Sequence, residues 1–194
     1  MTETTEKISL TLGFTNLGGD QFERLIDKDF AALAPLFEIA KRLPPFEVPG
    51  SHVLFVYADL DEDGSIHGTP GKGIRQVAEM SGAGIVVLAT PNVTESLIAT
   101  SKIAGPKKAN LVFTLDRKGD GFGRFFRALF IAMQGGKDML AAWVAMAPQG
   151  GSAAGIEWQP GTILAAEAGK VAFPRPKKSG GLFGGNLFGF GKRH

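Results

Sequence analysis

Val53 to Gly73 reads VLFVYADLDEDGSIHGTPGKG, an apolar run that passes directly into four acids and then into a glycine-rich stretch. Residues 53–58 (VLFVYA) are rich in β-branched and aromatic side chains. A run of this kind without alternation predicts a strand buried on both faces, as in a parallel sheet covered by helices. Asp59 marks where burial ends, because an unpaired carboxylate in a dry interior is protonated or expelled.

Two later runs repeat the pattern: GIVVLAT (84–90) and NLVFTL (110–115), the second leading into Asp116. Helical signals lie between them. GIRQVAEM (73–80) predicts a short helix stopped at Ser81-Gly82. Asn92-Val93-Thr94-Glu95 has the spacing of a capping box, opening a helix over Leu97, Ile98 and Ile103 that Gly105-Pro106 closes. Upstream, KISLTLGF (7–14) alternates apolar and polar residues and predicts a strand at the sheet edge. Asp20 is placed to cap a helix whose apolar face runs through Phe22, Ile26, Phe30, Leu33, Phe37 and Ala40, with a kink at Pro35 and an end before Pro44-Pro45. Downstream, residues 123–147 read as two helical pieces broken at Gly135-Gly136. After a connector at 150–155, segments 156–158 and 162–173 can pair as a hairpin on the sheet edge.

Strands alternating with helices predict an α/β fold: one domain over residues 7–173, with a mainly parallel sheet of about four to six strands and helices on both faces, Rossmann-like or flavodoxin-like. A chain of 194 residues with 44% hydrophobic content is long enough for one such core. In such sheets the functional crevice lies outside the carboxyl ends of the strands. Asp59, Asp61, Asp63, Thr90, Asn92, Asp116 and Asp120 are then expected to share one rim.

Carboxylates on that rim suggest a divalent ion, Mg²⁺ or Ca²⁺. The alternation Asp59, Asp61, Asp63 before Gly64 resembles the first half of an EF-hand calcium loop, in which carboxylates at alternate positions converge on one hard cation. The twelfth position of that loop falls on Pro70. The same acids look like the DxD segment of Toprim-type nucleotidyl-transfer domains. Independently of that resemblance, Asp59 and Asp116, each at the end of a buried strand, are expected to hold Mg²⁺ with Asp61 beside them while Lys72 or Lys118 meets a phosphate, for phosphoryl or phosphodiester chemistry; the glutamate of the Toprim family's earlier strand has no counterpart at Phe14-Thr15. The competing reading is a polar hairpin in which Asp63-Gly64 joins ADL to SIH by turn chemistry alone. GTPGKG (68–73) offers Gly71, Lys72 and Gly73 as a site for an anion at a helix start. It is not a P-loop, because Ile66 stands at the first glycine position and Gly73 follows the lysine.

No cysteine is present, which excludes disulfides, thiolate catalysis and Cys-ligated zinc. No serine lies in a G-x-S-x-G elbow, and His67 is the one histidine expected on the rim. MTETTEK lacks an apolar h-region and no run approaches the roughly 18 apolar residues of a membrane span, so the expectation is a soluble, cytoplasmic protein.

Charge is divided along the chain. No acid follows Glu167, whereas six cations lie from Lys170 onward, so residues 1–169 carry a net charge of −4. The segment 174–194, PRPKKSGGLFGGNLFGFGKRH, sets Leu182, Phe183, Leu187, Phe188 and Phe190 among glycines, with Lys177 and Lys178 beside them. A basic, apolar-studded tail of this composition is expected to be flexible and to dock on a protein partner or an anionic membrane surface; nucleic acid is a weaker candidate because the body has no basic stripe. The expected function is therefore a binding or scaffolding protein working through that tail. The alternative is a Mg²⁺-dependent phosphoryl-transfer or phosphodiester enzyme using the strand-end carboxylates.

Overall fold

The three unbroken apolar runs form the centre of one sheet. The computed structural model describes residues 6–91, 94–115, 121–146 and 162–174. Strands β1 (Ile8–Asn16), β2 (Phe37–Arg42), β3 (Val53–Tyr57), β4 (Ile85–Thr90), β5 (Asn110–Leu115) and β6 (Thr162–Ala165) lie in the order β2-β1-β3-β4-β5-β6. Every neighbouring pair is parallel except β5 with β6. The first five strands thus follow the flavodoxin-type 2-1-3-4-5 order of a doubly wound sheet.

Both faces are covered. Helices α1 (Glu23–Leu33), α4 (Gly121–Gln134) and α5 (Met139–Met146) pack on the face carrying Phe14, Phe55 and Tyr57. Helices α2 (Ile74–Ser81) and α3 (Thr94–Lys102) pack on the face carrying Leu54, Val56, Val86 and Leu88. The chain steps outward from β1 to β2, then returns to place β3 on the other side of β1. Crossovers of one hand therefore send α1 to one face and α2 and α3 to the other. The two cores differ in chemistry: the first is an aromatic cluster in which Phe14 stacks on Phe55 at 4.9 Å and Phe126 meets Phe55 edge-on at 5.1 Å, whereas the second is almost wholly aliphatic.

Three expectations need correction. Residues 37–42 are strand β2 instead of helix. Pro35 lies in a 3-10 turn (Ala34–Leu36) that ends α1, and the chain then leaves extended beside β1. A register irregularity between β1 and β2 lets Phe37 and Ala40, three residues apart, both reach the aromatic core, so a strand imitates the helical spacing. Consequently β1 is interior, flanked by β2 and β3, and only its first half keeps a wet face. Asp20 makes no side-chain cap; it opens a 3-10 turn, Asp20–Phe22, that precedes α1.

The later helices agree with the sequence. Helix α2 ends on Gly82 in the left-handed region at φ 70. Residues 121–146 form two helices parted near Gly135-Gly136. Strand β6 holds the sheet edge against β5 but covers only Thr162–Ala165 of the expected 162–173, the chain bending away at Glu167-Ala168; residues 150–158 lie outside the described residues, as do Asn92 and Val93 of the proposed capping box. No helix among the described residues is long and apolar enough to cross a membrane.

Candidate functional site

The strand order reverses between β1 and β3, so the crevice of this fold lies where Asn16–Gly19 and Ala58–Asp63 leave the sheet. Asn16 organises the first of these loops. Its Oδ1 accepts the N–H groups of Gly18 and Gly19, both at 3.1 Å, and its Nδ2 donates to the Gly19 carbonyl and the Glu23 carboxylate. Gly18 has to be small: a Cβ there would lie 2.2 Å from the Phe22 ring.

The acidic loop is a hairpin. Leu60 and Ile66 form an antiparallel bridge, and Gly64 turns the chain at φ +83, where a Cβ would lie 2.1 Å from the Thr100 amide nitrogen of α3. The turn reading of Asp63-Gly64 thus describes the backbone. Each carboxylate has its own partner. Asp59 accepts from Gln21 Nε2 at 2.6 Å, Asp61 meets His67 Nδ1 at 2.7 Å, and Asp63 accepts the Ser65 N–H at 2.8 Å. That Ser65 bond lowers the Asp63 pKa, and the Asp61 carboxylate raises the His67 pKa. Among the described residues no three metal-ligating side chains converge. Asp116 and Asp120 lie outside the described residues.

The glycine-rich loop uses its own backbone donors. The Gly71 N–H bonds Ser65 Oγ at 2.8 Å, the Lys72 N–H bonds the Thr69 carbonyl at 3.0 Å, and the Gly73 N–H bonds Gln76 Oε1 at 3.0 Å. Of the three residues expected to hold an anion, Lys72 alone retains an uncommitted group, its exposed side-chain ammonium, which has no partner among the described residues.

Lys72 also borders a cavity of about 160 Å³ on the α2 side of the rim. Leu17, Val48, Ile66 and Val77 supply apolar walls, and His67 and Lys72 supply its basic edge. At its margin stand Phe46 and Met80, 69% and 68% exposed, the two most exposed large apolar residues among those described. The loop bearing Phe46 is pinned across the end of β1: the Phe46 N–H donates to the Asn16 carbonyl at 2.8 Å, and Thr15 Oγ1 donates to the Glu47 carbonyl at 2.7 Å. Phe46 has φ 68, the one non-glycine residue among those described with positive φ. Such a conformation persists only where surrounding bonds impose it.

Sequence reasoning missed Phe46, Val48 and Met80. The available signal was PPFEVPG (44–50), a large aromatic between prolines that forbid both helix and interior strand. The docking residues expected in the tail, Leu182, Phe183, Leu187, Phe188, Phe190, Lys177 and Lys178, lie outside the described residues.

No family model matches the chain, and no curated protein matches it.

Proposed function

We propose that this chain is a binding or scaffolding protein that engages another macromolecule, with the rim cavity as its docking point on the domain and the basic Leu/Phe-rich tail as a second contact. One observation carries the reading: Phe46 and Met80, both largely exposed, line a preformed apolar cavity that is large enough for a single side chain. Grouped apolar side chains of this kind mark interaction sites, and covering them gains roughly 25 cal/mol per Å² of apolar surface. The separate engagement of Asp59, Asp61 and Asp63 supports binding over phosphoryl transfer, because metal-assisted chemistry needs carboxylates that converge. The negative body charge disfavours nucleic acid as the partner, and the tail's cations favour a protein or an anionic membrane surface.

The test uses full-length protein and three variants: Phe46→Ser with Met80→Ser, deletion of residues 175–194, and Asp59→Asn with Asp116→Asn. Binding is measured to a random heptapeptide library and to phosphatidylserine vesicles. The reading expects peptide capture to fall in the first variant, vesicle binding to fall in the second, and the third to behave as wild type. If instead Mg²⁺ raises the melting temperature of wild type and the aspartate substitutions remove that shift, the site is a metal centre and the enzyme reading replaces this one.

A further inference from the structure

The volume of the rim cavity limits what can enter it. Cofactor and drug-sized sites occupy roughly 300–1,000 Å³, whereas an apolar cavity of about 150 Å³ holds one benzene ring. At about 160 Å³ the space takes one Leu- or Phe-sized group and leaves the remainder of a ligand outside, against Phe46 and Met80. The charge at its edge limits the rest. The Asp61 carboxylate is held by His67 and Glu79 by Lys108 at 3.4 Å, while Asp59 bonds the neutral Gln21 amide and its charge still acts on His67; of the two ionisable residues that line the cavity, His67 and Lys72, only Lys72 has no carboxylate partner among the described residues. His67 uses Nδ1 for Asp61, and its Nε2 has no partner among the described residues.

We infer that the cavity recognises the carboxy-terminal residue of a partner peptide, with its apolar side chain in the space walled by Leu17, Ile66 and Val77 and its terminal carboxylate on Lys72 and His67. This rests on the docking reading above and names the chemistry that the docking point selects. The carboxy terminus is specified by geometry. There the apolar side chain and the carboxylate grow from one Cα, so both can meet a cavity and a cation that share a border. In an extended internal segment, an acid next to the apolar anchor points to the opposite side of the chain, and the nearest acid on the same side stands two residues, about 7 Å, along it. The protein's own Leu/Phe pairs at 182–190 are poor occupants, because they are internal to the sequence and no acid follows Glu167, so they bring no carboxylate for Lys72.

The experiment is fluorescence polarisation of full-length protein with two probes, fluorescein-Gly-Gly-Gly-Phe as the free acid and as the carboxamide. The acid is expected to bind at least ~10-fold more tightly than the amide, the scale of a charge-assisted hydrogen bond. Lys72→Gln is expected to bring the acid down to the amide's affinity without changing the amide, and Phe46→Ser to weaken both probes. Equal binding of acid and amide in wild type, with Phe46→Ser weakening both, overturns the carboxylate inference and keeps the docking reading. Absence of binding by either probe, with no effect of Phe46→Ser, overturns both. Tighter binding of both probes after deletion of residues 175–194 makes the protein's own tail the occupant and overturns the inference.

Discussion

The Tyr57 hydroxyl donates to the Asp29 carboxylate at 2.6 Å, with both side chains fully buried, the first on β3 and the second on α1. Gly123, in the first turn of α4, approaches the same carboxyl: a Cβ there would lie 3.7 Å from Asp29 Oδ1. The pair ties α1 to the last residue of β3, next to the loop that forms the rim. Removing one partner of a buried, charged hydrogen bond costs about 1.5–3 kcal/mol. Tyr57→Phe is expected to lower stability by that amount in urea unfolding, with no change in the slope of the transition.

A second tie crosses the other face. Arg75 on α2 makes a forked contact with Glu167 and donates through Nη1 to the carbonyls of Ser101 and Ile103 at 2.8 and 2.7 Å. The Glu167 hydrogen bond raises the Arg75 pKa, and both side chains are largely buried. Arg75→Ala strands a buried carboxylate and is expected to cost about 3–5 kcal/mol. Arg75→Lys is expected to recover little of it, because an ammonium cannot reproduce the fork. Thermal and urea unfolding of the two variants check this.

Two glycines with positive φ separate strain from crowding. Gly82 closes α2 at φ +70 with nothing within 4 Å of a Cβ, whereas Gly64, at φ +83, faces the backbone of Thr100. Gly82→Ala is expected to cost about 1–2 kcal/mol, the left-handed penalty alone. Gly64→Ala carries that penalty plus displacement of α3 and is expected to cost distinctly more and to shift amide resonances across α3.

His67 tests the electrostatics of the rim. Asp61 raises its pKa above the ordinary 6.5, so the folded protein binds this proton more tightly than the unfolded chain. The resulting stabilisation is complete below about pH 6.5 and disappears as pH rises through the folded-state value. Proton NMR is expected to show the His67 midpoint above 6.5, and Asp61→Asn to bring it down.

The buried strands were legible because VLFVY, IVVLAT and, after Asn110, LVFTL contain no polar residue until near their ends, a pattern compatible with burial on both faces. Strand β2 was not, because FEIAKR is a short edge element whose irregular register puts Phe37 and Ala40 on one core. The loops showed where the rim would lie but not which groups on it stay uncommitted. Nothing local in DLDEDG says that Gln21 reaches Asp59 from 38 positions upstream, and nothing in PPFEVPG says that Asn16 fixes Phe46 beside Met80. Such long-range bonds are set by tertiary packing, which local sequence patterns do not encode.

The most direct measurement of the central claim is methyl and amide NMR of full-length protein titrated with fluorescein-Gly-Gly-Gly-Phe. The account predicts shift changes concentrated at Leu17, Val48, Ile66, Val77 and Met80, the walls and margin of the rim cavity. Changes centred instead on the α3 groove around Ile98 and Ile103, or a response around Leu60 to Mg²⁺ with none to the peptide, would contradict it.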